Sequence, residues 1–166
     1  MKHAGWKRRL VHWSLAGGLV VAAVHLSSRG IASRYSLCIN LTGSLDGLLY
    51  LVTKGSYPSR IGQLVAFKVN ANPFYPNGTI FIKRVGGLPG QRVSIRGQDY
   101  YVENRKIGRW HAHALSGETL YRGPVGLIPD GHYFVYTHHP RSFDSRYRRV
   151  GWIPRDKVIG TASRLY

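Results

Sequence analysis

The sequence predicts a mostly β, antiparallel domain preceded by a single N-terminal transmembrane helix. Three observations carry that prediction. Residues 10–26, "LVHWSLAGGLVVAAVHL", hold no Asp, Glu, Lys or Arg and follow a basic cluster of Lys2, Lys7, Arg8 and Arg9. Beyond them the chain breaks into short apolar runs divided by Gly, Pro, Asn and Asp, with the β-branched and aromatic content of strands. No stretch after the N-terminus keeps helical periodicity for three turns.

Taken in order, residues 1–9 are a basic segment that stays in the cytoplasm, and residues 10–26 are a signal anchor. Seventeen helical residues at about 1.5 Å each reach roughly 25 Å, a little short of a hydrocarbon core of about 30 Å. His12 and His25 near its ends sit at the interfaces, and Trp6 and Trp13 suit the headgroup level. The rival reading is a signal peptide cleaved after "GIA" at 30–32. Either reading exports the rest of the chain. Residues 27–36, "SSRGIASRYS", are small and polar and are expected to be a linker. Residues 37–166 form the exported domain. Its expected strands are "LVAFKV" (64–69), "TIFIKRV" (79–85), "RVSIRG" (92–97), "YYVENRKI" (100–107), "HYFVYT" (132–137) and "DKVIGTASRL" (156–165). Turns are expected at "NPFYPNG", "GGLPGQ", "VENRK", "IPDGH" and "HHPRS".

A chain of 166 residues has room for one domain and a short appendage. Its 24 Lys and Arg against 7 Asp and Glu give a formal net charge of +17, spread along the chain, which favours an acidic surface as partner. Cys38 is the sole cysteine, so no intrachain disulfide framework exists.

Three segments carry candidate chemistry. In a strand over 79–85, Phe81, Lys83 and Val85 share one face and Ile80, Ile82 and Arg84 the other. A lone lysine there commonly snorkels to water. The alternative is a desolvated lysine whose pKa falls from about 10.4 toward 7 or 8, so that it can accept a proton. The nucleophile candidate is Ser44, in the polar break of "CINLTGSLDGLLYL" (38–51), with the Thr42 hydroxyl two residues before it; a plain hydroxyl-capped turn is the bland reading. Serine with a neutral lysine base is a known variant of the activated serine. The third segment, "HHPRSFDSRYRRVG" (138–151), places Ser142, Asp144, Ser145 and Arg146 together, and an Asp–Arg pair beside hydroxyls reads as a buried brace.

In this order the three segments resemble the type I signal peptidases, and within them the TraF-like peptidases of conjugative transfer that mature pilin. The nucleophile segment of that branch reads N-x-T-x-S-x-P-x-G-x-Y, and "INLTGSLDGLLY" keeps Asn40, Thr42, Ser44 and Tyr50. The lysine segment of the wider family reads K-R-x-x-G-x-P-G-D; "KRVGGLPGQ" matches except at Gln91. The last box reads S-F-D-S-R-Y followed by an aromatic and glycine; "SFDSRY" at 142–147 is intact, and "RRVGWIP" after it departs from the pattern. The resemblance covers roughly residues 37–166 and implies a signal-peptidase-like β domain. It makes Ser44 the nucleophile and Lys83 the general base. The Ser44 amide and Thr42 hydroxyl become oxyanion donors, and Ser142, Asp144 and Arg146 support the site, Ser142 by orienting the lysine. No metal or organic cofactor is implied.

Asp46 stands where the branch has proline, and Gly47 leaves the register of its glycine open by one residue. The histidines of "WHAH" (His111, His113) with His132, His138 and His139 lack a complete metal-ligand spacing and read as surface or turn residues. The basic, tyrosine-rich "RSFDSRYRRVGW" suits nucleic acid in composition, but an exported domain does not meet that partner. The expected protein is a single-pass enzyme of the bacterial inner membrane with its catalytic domain in the periplasm or outside. It would cleave exported precursors, with pilin in a conjugative (type IV secretion) system as substrate, the anionic membrane surface as a contact, and other conjugative transfer components as further partners. The alternatives are a housekeeping leader peptidase and a non-catalytic basic β module of a secretion assembly.

Overall fold

The computed structural model describes residues 29–40, 43–69 and 75–166. The expected anchor at 10–26, the basic segment before it and Thr42 lie outside the described residues. Among the described residues no helix is long and apolar enough to cross a membrane. The chain divides into two units after Tyr35. In the first, residues 29–34 are helical, inside the stretch expected to be a linker, and Tyr35 opens a strand.

The second unit is built of antiparallel β-structure. A seven-stranded sheet contains β1 (Tyr35–Ile39), β2 (Leu49–Lys54), β3 (Leu64–Lys68), β4 (Ile80–Gly87), β9 (His132–Tyr136), β10 (Ile153–Pro154) and β11 (Val158–Arg164), in the order β1-β2-β11-β3-β4-β9-β10. A four-stranded sheet contains β5 (Arg92–Arg96), β6 (Asp99–Val102), β7 (Arg105–Arg109) and β8 (Gly126–Leu127), in the order β7-β6-β5-β8. The pairs β2–β11, β11–β3, β3–β4, β4–β9 and β9–β10 are antiparallel, as are those of the small sheet.

The apolar runs became strands for the reason that made them visible: alternating side chains meet a core. Val65 and Phe67 of β3, Phe81 and Val85 of β4 and Tyr133 and Val135 of β9 form one buried cluster. Val93, Tyr100, Val102 and Phe134 form a second, between the sheets' strands. The run "YYVENRKI" is a hairpin, β6–β7, turning at Glu103 and Asn104, with Glu103 at φ 54°. The run from Asp156 begins as a single 3₁₀ turn, Arg155–Lys157, before β11. β1, β2, β8 and β10 fall outside the expected strands because they are edge or two-residue pieces, or mix polar residues into the run.

The turn "GGLPGQ" has a plain physical basis. Pro89 and Gly90 take the two central positions, with Gly90 at φ 80°, as a type II turn requires, and Gln91 N–H donates to Leu88 O at 3.2 Å. The Gln91 side-chain carbonyl closes the turn by accepting the Leu88 N–H at 2.9 Å. Gln91 thus closes the turn with a neutral side-chain acceptor. β4 consequently runs two residues beyond its expected end, to Gly87.

Candidate active site

β4 lies between β3 and β9, with Lys83 opposite Val65. Its Phe81, Lys83 and Val85 face the buried side, and Lys83 keeps only 5% of its surface exposed. The lysine does not reach water by snorkelling. Its Nζ donates to Ser142 Oγ at 2.8 Å and sits 5.2 Å from the centroid of the Phe81 ring. Burial pushes its pKa down to about 8, the nearby Asp144 carboxylate pulling it up and Arg146 pushing it further down. At pH 7 about a tenth of such lysines are neutral.

The segment after β9 delivers Ser142 to this point. Ser145 N–H donates to Val135 O at 3.0 Å and Ser145 Oγ accepts the Val135 N–H at 2.9 Å, which stitches the segment to β9. Arg146 folds back on Asp144 through two bonds of 2.8 Å, from Nε to Oδ1 and from Nη2 to Oδ2. Both side chains are buried, 1% and 0% exposed. Arg146 also donates to Arg109 O at 2.9 Å and to Ser142 O at 3.2 Å, so the guanidinium ties the small sheet to the loop that carries Ser142. Bidentate geometry with the remaining donors satisfied is what allows an ion pair to be buried at all. Asp144 additionally accepts the Thr137 N–H at 3.3 Å.

Ser44 lies in the loop between β1 and β2, half-buried. Asn40 holds that loop in shape: its Nδ2 donates to Leu45 O at 2.9 Å and to Gly47 O at 3.1 Å, and its N–H bonds Leu48 O at 2.8 Å. The Tyr50 hydroxyl donates to Asp46 O from the next strand. Gly47, at φ 101°, is required, because a Cβ there would lie 2.7 Å from Tyr166 O. The motif by itself gives Asn40, Gly47 and Tyr50 no role. The usable signal is an amide residue opening a polar break, the kind of side chain that bonds local backbone. Asp46 is exposed and, among the described residues, makes no ion pair.

Ser44 and Lys83 line one cleft of about 480 Å³. Asn40 and Gly43 enter it from the first loop, Phe81 from β4, and Ser142 and Phe143 from the segment after β9. Asp144 and Arg146 stand behind that wall. The arrangement can hold an extended chain in a cleft whose lining includes both the buried amine and the Ser44 hydroxyl. Of the histidines, His139 reaches the cleft and His138 packs edge-on to Tyr136 at 5.3 Å. Among the described residues no three His, Cys, Asp or Glu side chains gather in a way that could hold a metal ion.

Residues 10–166 match the model of the family described as signal peptidase, peptidase S26. The chain belongs to that family. A probable signal peptidase I-2 of Synechocystis sp. is 32% identical over 122 residues, 68% of this chain and 51% of that protein. A conjugal transfer protein TraF of Agrobacterium fabrum is 26% identical over 177 residues, 96% of this chain and 97% of that protein. The chain thus spans about half of the cyanobacterial signal peptidase and nearly all of the TraF relative. A solved signal peptidase I from Enterococcus faecalis aligns with a TM-score of 0.41 and 24% identity, covering 64% of this chain and 98% of that one.

Proposed function

We propose that this member of the signal peptidase family is a membrane-bound serine endopeptidase in which Ser44 attacks and Lys83 acts as general base. The observation that carries the reading is Lys83 itself: a buried amine, its pKa lowered to about 8, in the same cleft as Ser44. A fold that only needed a scaffold would fill this position with a methionine or leucine and avoid desolvating a charge.

The precursor chain lies extended in the cleft, adding main-chain bonds to a strand edge. Neutral Lys83 takes the Ser44 proton as Oγ bonds to the scissile carbonyl carbon, and the carbonyl π pair moves to oxygen. The Ser44 N–H and the Thr42 hydroxyl hold that oxyanion, each such donor lowering the barrier by about 3 kcal/mol. The C–N bond then breaks, and the Lys83 ammonium returns its proton to the leaving amine. Water, deprotonated by Lys83, attacks the ester; the carboxyl product leaves and Ser44 recovers its proton. Ser142 accepts a hydrogen bond from Nζ throughout and so fixes where the amine points. The Asp144–Arg146 pair fixes Ser142.

The relative that runs the length of this chain is named for conjugal transfer, and "INLT" with "SFDSRY" matches the branch that matures pilin, which supports a pilin precursor as substrate. The apolar segment 10–26 would hold the site at the outer face of the inner membrane, where exported precursors present their cleavage sites. The test is cleavage of a pilin precursor and of a secretory precursor by the purified chain. Ser44→Ala and Lys83→Ala each abolish cleavage of both while leaving the fold intact. The rate in wild type rises about tenfold from pH 7 to pH 9 and levels off, following neutral Lys83. Wild-type rates in either variant, or a limb titrating near 10, refute the dyad.

A further inference from the structure

A second cavity, of about 300 Å³, opens beside the cleft that holds Ser44 and Lys83 and shares Tyr75, Leu115, Arg141 and Phe143 with it. We infer that this cavity is a substrate subsite that takes one bulky apolar side chain of the precursor, with Arg141 at the shared wall receiving a carboxylate side chain next to it.

The cavity is formed by a small hairpin between β7 and β8. Residues 112–120 fold back through the bonds Leu120 N–H to Ala112 O at 2.7 Å and Ala114 N–H to Glu118 O at 2.9 Å, with His113 bridging Thr119. Gly117, at φ 89°, allows the tight return. The hairpin is tied to the site rather than left to swing. Arg141 Nη1 donates to His113 O at 3.4 Å, and just past the hairpin the Arg148 N–H donates to Tyr121 O at 2.9 Å. Tyr147 and Phe143, rings 5.5 Å apart, belong to the same "SFDSRY" segment whose Ser142 meets Lys83. A side chain in the cavity therefore bears on the loop that orients the base.

Three features point to a peptide as occupant. The first is continuity: four residues are common to both spaces, so a chain extended through the cleft passes the cavity mouth. The second is chemistry, because Leu120, Phe143, Tyr147 and the 86%-exposed Leu115 offer apolar surface with few polar groups. An exposed leucine at a hairpin tip gains most when a partner covers it. The third is charge. Arg141 is exposed, and among the described residues no carboxylate pairs with it.

The inference rests on the peptidase reading, and the experiment separates the two. Internally quenched peptides built on a cleaved precursor sequence carry Ala, Leu, Phe, Asp or Glu at one position at a time, from six residues before the scissile bond to six after. The full chain cleaves them as wild type, Ser116→Trp, Ala114→Phe and Arg141→Gln. Ser116 is exposed and lines the cavity, so its tryptophan fills the space without disturbing a core. At one position wild type prefers Leu or Phe over Ala by about tenfold or more in kcat/KM. Ser116→Trp and Ala114→Phe bring that ratio within about twofold of one and leave cleavage of the Ala peptide unchanged. Arg141→Gln keeps the apolar preference and loses about tenfold of a preference for Asp or Glu beside it. Ratios that survive in both filled variants overturn the subsite while the peptidase stands. A wild-type protein that cleaves none of the peptides or precursors overturns the peptidase and the subsite with it.

Discussion

Replacing Lys83 with methionine should destroy cleavage and, at neutral pH, make the protein more stable. The lysine titrates near 8 in the fold and at 10.5 when unfolded. Below pH 8 it is protonated in both states, and folding bears the whole cost of burying the ammonium. Between about pH 8 and 10.5 the unfolded chain holds a proton that the folded chain has released, so stability rises with pH across this window. A gap of about 2.5 pH units corresponds to about 3 kcal/mol. A methionine side chain in this place has similar length, suits the neighbouring Phe81 and Val85 and carries no charge. It loses the bond to Ser142, which offsets about 1 kcal/mol. The expected gain at pH 7 is therefore about 2 kcal/mol. Denaturant unfolding of wild type and Lys83→Met, at steps from about pH 6.5 to 10.5, measures the difference. Other titrating groups are common to both proteins and cancel. The difference between the two should shift by about 3 kcal/mol as pH rises, so that methionine, ahead by about 2 kcal/mol at pH 7, ends about 1 kcal/mol behind. A difference that stays constant with pH would show that Lys83 is not desolvated, and the case for a base would fall.

Two further substitutions test the parts that hold the dyad. Asp144→Ala leaves the Arg146 guanidinium buried without its carboxylate and should cost about 3 to 5 kcal/mol in denaturant unfolding; a loss under about 1 kcal/mol would mean the pair braces nothing. Asn40→Ala removes two side-chain bonds from the loop carrying Ser44. It should lower kcat by about tenfold or more with KM little changed and cost about 1 to 2 kcal/mol of stability, whereas an unchanged kcat would show that Ser44 is placed without it.

Much of this protein could be read along the chain. The alternation in "TIFIKRV" assigned Phe81, Lys83 and Val85 to one face, and in the fold that face is the buried one. The Pro-Gly turn after it and the hairpin at Glu103–Asn104 follow from local conformational preference. These features are legible because each depends on residues a few positions apart. What Lys83 experiences does not. Read alone, it suits snorkelling better than desolvation. The choice between them was made by β3 and β9 packing on either side of β4, and by Ser145 binding Val135 so that Ser142 lies 2.8 Å from Nζ. Gln91 and Asn40 make the same point at smaller scale, since a side-chain carbonyl or amide reveals its partner only once the turn closes around it. Sequence by itself determined the family, the β character and the residues that carry charge and hydroxyl. Tertiary structure decided the dielectric around them, because desolvation is set by neighbours that the chain brings back from tens of residues away.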